Sequence, residues 1–233
     1  MIERSDFLSN DRVVQERSIL KNVYIWMTAG LALTAVVSLW MASNPQRVIY
    51  LFQSNIIWAF FIGQLGLVFY LSAKIMSMSP KAAVLSFTAY SALSGVTLSS
   101  IFLAYTAASI ASTFFITAGM FGAMSLYAVT TKRDLSGMGT YLFMGLIGLI
   151  IASVVNIFLK SSGLYWLLSY AGVLIFCGLT AYDTQNILKM SRDYSSSVAE
   201  EDYIRFSILG ALKLYLDFIN MFIFLLRIFG RRD

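Results

Sequence analysis

Histidine is missing from this 233-residue chain. Without it there is no Ser-His-Asp triad, no imidazole base and no His-containing zinc site. The single cysteine, Cys177, excludes an internal disulfide and a cysteine metal cluster, and its place in an apolar run reads as a small buried hydrophobe. The chain is read as non-enzymatic, with no cofactor. Charge is scarce too, at 12% of residues against 58% hydrophobic. That is about half the charged share of a soluble domain. With a mean hydropathy of +0.74, the bilayer is its solvent. A net charge of +5 would suggest nucleic acid in a soluble protein; here it fits basic cytoplasmic loops and anionic lipid, so no nucleic-acid partner is expected.

Uncharged runs locate the spans. Residues 22–46, 48–73, 135–159 and 161–182 each lack charge, long enough for one helix across a hydrocarbon core of about 30 Å. The run 82–131 is 50 residues long and must cross twice, with its turn near Tyr105-Thr106-Ala107-Ala108-Ser109. A seventh apolar stretch, Phe206 to Phe229, is interrupted by Lys213, Asp217 and Arg227. The expected fold is an all-α polytopic membrane protein of seven helices. Residues 1–21 form a charged cytoplasmic tail and 22–230 a single transmembrane domain. Eight charges in that tail do not fit a cleavable signal peptide, so the first helix is read as a retained anchor.

Basic residues set the topology. Arg4, Arg12, Arg17, Lys21, Lys74, Lys81, Lys132, Arg133, Lys189, Arg192 and Arg205 fall on one side, eleven in all. Arg47, Lys160, Arg227, Arg231 and Arg232 make five on the other if the last stretch crosses. That bias puts the N-terminus in the cytoplasm. The basic C-terminus argues for a re-entrant last segment, whereas its length favours a crossing, the reading adopted. Trp26, Trp40, Trp58 and Trp166 fall near predicted helix ends, as an interfacial aromatic belt requires. Gly63 and Gly66, Gly119 and Gly122, and Gly145 and Gly148 are expected to let helices pack closely.

Only two carboxylates fall at membrane positions, Asp183 and Asp217. An Asp at the middle of a span costs about 2.5–3.5 kcal/mol on insertion scales and marks a functional position. Asp217, inside Leu214-Tyr215-Leu216 and Phe218-Ile219, is the clear case. Asp183 ends the sixth span, where water could equally wet an ordinary interfacial carboxylate. If the last helix starts at Phe206, Asp217 lies about 16 Å deeper than Asp183, so a meeting requires one helix to shift. Lys213, one turn before Asp217, either snorkels to the interface or acts as a tethered counter-ion.

At these residues the chain resembles the transmembrane Bax inhibitor motif family. The match rests on Ala181-Tyr182-Asp183-Thr184-Gln185 and Leu214-Tyr215-Leu216-Asp217-Phe218-Ile219-Asn220. Thr131-Lys132-Arg133-Asp134-Leu135-Ser136 and Asn156-Ile157-Phe158 support it. The resemblance implies a seven-helix bundle whose last helix is central, spanning a bacterial inner membrane. It also implies a pH-sensitive calcium leak gated by a dyad that maps onto Asp183 and Asp217. Those two would be weak calcium ligands, with Asn220 supplying a further oxygen. Some relatives carry a basic latch ending the second span, where this chain has only Lys74. A small polar residue is expected where Lys213 stands, and Gln64 stands where some relatives carry a glutamate on the ion path. Bacterial members are also linked to a membrane-bound AAA protease. A non-conducting modulator of that protease, docking through the charged tail, is therefore the alternative. An intramembrane aspartyl protease is remote, because Asp217 lacks a GxGD turn and the only prolines are Pro45 and Pro80.

Overall fold

A computed structural model of the chain describes residues 2–194 and 200–231, with side chains over 19–191 and 201–231. The side chains of Arg4, Arg12, Arg17, Arg192 and Arg232, all counted in the charge bias, lie outside the described residues. Among the described residues there are nine α-helices, one short 3-10 turn and no strand. In order they are α1 (Ile2–Ala42), α2 (Pro45–Gln53), α3 (Ile56–Lys74, continued by the turn Ile75–Ser77), α4 (Pro80–Leu98), α5 (Ile101–Ala104), α6 (Ala107–Thr130), α7 (Met138–Leu159), α8 (Ser162–Tyr194) and α9 (Glu200–Phe229). Seven stretches are long and apolar enough to cross a membrane, the third formed by α4 and α5 together.

Local chemistry sets the helix starts. Asn44 Oδ1 accepts the Gln46 N–H ahead of Pro45, and Ser79 Oγ accepts the Ala82 N–H ahead of Pro80. Each proline occupies a first-turn position where its missing N–H costs nothing. Thr106 caps α6 in the same way, accepting from Ser109 at 3.2 Å. The long uncharged run thus turns at Tyr105-Thr106, as expected.

Three expectations are corrected. The run 48–73 is not one span, because α2 is a separate short helix and the crossing starts at Ile56; the uncharged Ser54-Asn55 makes that break, as Asn44-Pro45 separates α1 from α2. Asp183 does not end the sixth span: α8 continues eleven residues further, to Tyr194. A helix satisfies its own backbone bonds whether or not charge appears on its surface. Of the six glycines assigned to close packing, only Gly145 has a neighbour, Ile175; nothing lies within 4 Å of the Cβ position at Gly63, Gly66, Gly119, Gly122 or Gly148. Their spacing was right for a packing face, but the face looks outward.

The chain divides into two compact units. The first comprises Met1–Ala104 and Ile187–Tyr215, the second Tyr105–Asn186 and Leu216–Asp233. In the first, Val23 fills the space beside Gly210, where a Cβ would meet its Cγ2 at 2.9 Å. Phe87 and Tyr90 both meet Tyr215 edge-on, with ring centroids 5.9 and 5.8 Å away. In the second, Leu168, Val173 and Phe176 of α8 pack with Met221, Phe224 and Leu225 of α9. α9 is a continuous helix of 30 residues, about 45 Å long. Beyond its end, the Arg231 carbonyl accepts the Thr106 N–H at 3.1 Å, so the C-terminal end meets the turn that precedes α6. Burial is concentrated in this last span, at 67% of its apolar window against 39% at most elsewhere.

Candidate functional site

α8 and α9 run antiparallel in the second unit, and one contact fixes their register. Gly172 sits against the Phe224 ring, and Phe176 stacks on that same ring at 6.0 Å and 26°. Seven residues back from Phe224 is Asp217; seven on from Gly172 or Phe176 are Leu179 and Asp183. Equal rise on both helices therefore brings Asp217 level with residues 179–183 of α8. The depth difference expected from sequence rested on both helices ending too early. Asp217 is only 4% exposed, whereas Asp183 is half-buried.

The residues around Asp183 are held from two sides. The Tyr182 ring occupies the space over Gly139 of α7, where a Cβ would meet it at 2.5 Å. Gln185, buried, stitches down the loop between α6 and α7. Its Oε1 accepts the Leu135 N–H at 2.7 Å and its Nε2 donates to the Arg133 carbonyl at 2.9 Å. Within the loop, Asp134 Oδ1 accepts the Ser136 N–H and Thr131 Oγ1 accepts the Arg133 N–H. Two of the recognised segments are thus one physical unit: the amide of one satisfies the backbone of the other.

Phe218, the neighbour of Asp217 on α9, packs into an aromatic cluster with α6. Phe218 meets Phe114 and Phe121 of α6 edge-on, at 5.4 and 5.5 Å. On α6 the buried residues Ser109, Thr113, Thr117 and Ser125 share one face at four-residue spacing. Thr113 Oγ1, Ser125 Oγ and Thr184 Oγ1 are buried with no hydrogen-bond partner among the described residues. Each such hydroxyl costs about 1–3 kcal/mol unless water or an ion reaches it. Asn220 donates its side-chain N–H to the Leu216 carbonyl at 2.8 Å, which leaves its Oδ1 as the atom to offer a cation. Among the described residues, no three Asp, Glu, Cys or His side chains gather as a metal site.

The remaining sequence-predicted residues belong to the first unit. Lys213 is half-buried, one helical turn before Asp217 on α9, and Lys74 is exposed at the end of α3. Gln64 donates to Ser94 Oγ and Thr97 Oγ1, both at 3.1 Å, so its amide ties α3 to α4. A buried network not read from sequence continues from there. Buried Tyr215 of α9 joins it to the first span, its Oη 2.7 Å from Thr34 Oγ1. Thr34 in turn bonds the Ser91 carbonyl at 2.8 Å. The network joins spans one, two, three and seven. Gln185 and the α6 hydroxyls also went unread, although the four-residue spacing of the latter was visible.

Comparison with known proteins places this architecture. The family model described as "Inhibitor of apoptosis-promoting Bax1" matches residues 16–233. The inner membrane protein YbhL of Escherichia coli is 53% identical over 232 residues, covering 97% of this chain and 98% of that protein. A protein of Borreliella burgdorferi is 45% identical over 94% of both chains. A membrane protein of Streptococcus pyogenes serotype M1 is 38% identical over 96% of this chain and all of its own. None of these carries the name of an enzyme. With seven apolar helices and a family match over nearly its whole length, the chain is a multi-pass membrane protein of the Bax inhibitor family.

Proposed function

We propose that this protein is a pH-sensitive calcium leak of the bacterial inner membrane, with its N-terminus in the cytoplasm, its last helix central, and Asp183 and Asp217 as the dyad on the ion path. The observation that carries the reading is Asp217, 4% exposed, on the stretch of α9 that the register brings level with residues 179–183 of α8. The inner membrane is taken from the name of the Escherichia coli relative. Two carboxylates close together in low dielectric repel when both are ionised, so the pair holds one shared proton. The protonated, hydrogen-bonded pair shuts the path. When the pH rises and the proton leaves, two negative charges push apart and attract a cation. Flux therefore increases with pH. Calcium takes six to eight oxygens, and two carboxylates supply part of that shell. Asn220, the buried hydroxyls and water complete it, giving the weak binding a leak requires.

The test is calcium flux into liposomes holding only this protein. Flux should rise between about pH 5 and pH 8, the range in which a shared proton is lost. Asp217→Asn should abolish that rise. A flux independent of pH in the native protein overturns the reading, and nanomolar calcium affinity would indicate a buffer instead. One observation favours the alternative role as modulator of a membrane-bound AAA protease: α1 begins at Ile2, well ahead of its apolar span at Ile19. Deleting residues 2–16 should alter proteolysis with flux intact if both roles exist.

A further inference from the structure

We infer that the end of α7, α8 and α9 in the second unit binds the phosphate of an anionic glycerophospholipid headgroup. A cavity of about 570 Å³ lies there, and Lys160 and Arg227 both line it, together with Asn156, Ser161, Ser162 and Trp166. The observation that first points to a ligand is electrostatic. Both cations line the same cavity, and neither is paired with a described carboxylate. Two positive charges opening on one cavity call for an anion.

The protein fixes both charges in place. Lys160 ends α7 in the left-handed conformation, φ 49° and ψ 32°, the only non-glycine residue with positive φ among those described. Asn156 clamps that turn: its carbonyl accepts the Lys160 N–H at 2.8 Å and its Oδ1 accepts the Ser161 N–H at 3.0 Å. The Arg227 guanidinium lies 5.0 Å from the Phe224 ring centre and 5.7 Å from that of Tyr165. These rings hold a cation without neutralising it. The serine hydroxyls add neutral donors, and phosphate oxygens accept from donors of both kinds.

Position decides the source of the phosphate. Trp166 on the cavity wall is 43% exposed, while Ile157, Phe158 and Leu159 on the last turn of α7 are 68%, 81% and 64% exposed. An exposed apolar turn in this chain faces acyl chains, and tryptophan sits at headgroup level. The cavity therefore opens where lipid phosphates lie. Two cations favour a headgroup of net negative charge over a zwitterionic one.

The test titrates the purified full-length protein in maltoside micelles with dioleoylphosphatidylglycerol, dioleoylphosphatidylcholine or inorganic phosphate. Bound lipid is counted by native mass spectrometry. Phosphatidylglycerol should bind best. Lys160→Gln and Arg227→Gln should each weaken it about fivefold, the worth of one basic residue at a lipid surface. Phosphatidylcholine binding should not change. Lys160 is exposed, so its substitution leaves the core intact, and Arg227→Lys keeps the charge should Arg227→Gln fail to fold. Unchanged phosphatidylglycerol affinity in both Lys160→Gln and the charge-neutral Arg227 variant overturns the inference. Displacement of the lipid by millimolar inorganic phosphate also overturns it, since the site would then belong to a free anion.

Discussion

Replacing Gly172 with alanine tests the register on which the dyad depends. The new Cβ would lie 2.5 Å from Cδ2 of Phe224 and 2.6 Å from Cε2 and Cγ. Carbon atoms rest at about 3.5–4.0 Å, so the ring must retreat by about 1 Å. Its room to move is small. Phe224 is 7% exposed, Phe176 stacks on it at 6.0 Å, and Arg227 lies 5.0 Å from its centre. Overpacking of this kind costs about 1–3 kcal/mol, of which alanine's better helix propensity returns at most about 1 kcal/mol. A net loss of about 1–2 kcal/mol is expected, a five- to thirty-fold change in the folding equilibrium. Gly148→Ala is the control: nothing lies within 4 Å of its Cβ position, so only the propensity gain remains. Reversible unfolding in mixed micelles titrated with dodecyl sulfate would measure both. Adding Phe224→Leu to Gly172→Ala should recover part of the loss, because the two sites touch. In liposomes Gly172→Ala should also change the pH profile of calcium flux, by moving Asp217 against α8. Equal stability of the two alanine variants would refute the contact and the register drawn from it.

Further outcomes follow from other contacts. If Lys213 pairs with Asp217, Lys213→Met should move the flux–pH curve to higher pH by at most about one to two units. On the Asp217→Asn background it should change nothing; an unmoved curve in the native background shows that Lys213 merely snorkels. Tyr215→Phe and Thr34→Val each remove one side of a 2.7 Å hydrogen bond. Each should cost about 1 kcal/mol in the same unfolding assay, with the double variant losing less than their sum. Gln185→Ala strips the Leu135 N–H of its acceptor, and hydrogen exchange at Leu135 should accelerate at least tenfold. Unchanged exchange there would mean the loop is held by other means.

The seven crossings could be read because charge is costly inside them, and Lys21, Arg47, Lys74, Lys81 and Lys160 fall at or near most of their ends. The same rule fails where a boundary is neutral. Asn44-Pro45 separates α2 from α1 and Ser54-Asn55 separates it from α3, through capping and backbone geometry that a search for charge does not register. It fails in the other direction at Asp183, where charge begins but the helix does not stop. Asp217 was legible because a buried carboxylate is costly enough to need a reason. Gln185 was not, since a neutral amide looks alike whether it idles or bonds a loop 50 and 52 residues away. Glycine spacing gave a face without its direction: Gly30, Gly95, Gly139, Gly172, Gly178 and Gly210 are among those that carry close contacts, and none stood in the pairs singled out.

The concentration of burial in α9 bears on how the protein is made. The span with 67% of its window buried follows the other six in the chain. It also carries Lys213 and Asp217, each unfavourable by about 2.5–3.5 kcal/mol at the centre of a lone helix. Those two charges make it a segment that partitions poorly into lipid by itself. In each unit its buried side chains are covered by helices that precede it in the chain, through Phe87 and Tyr90 in the first and Leu168, Val173 and Phe176 in the second. A ribosome stalled before residue 200 would leave those contacts unmade. Membrane quality control would see such a protein as an orphan until its final helix arrived.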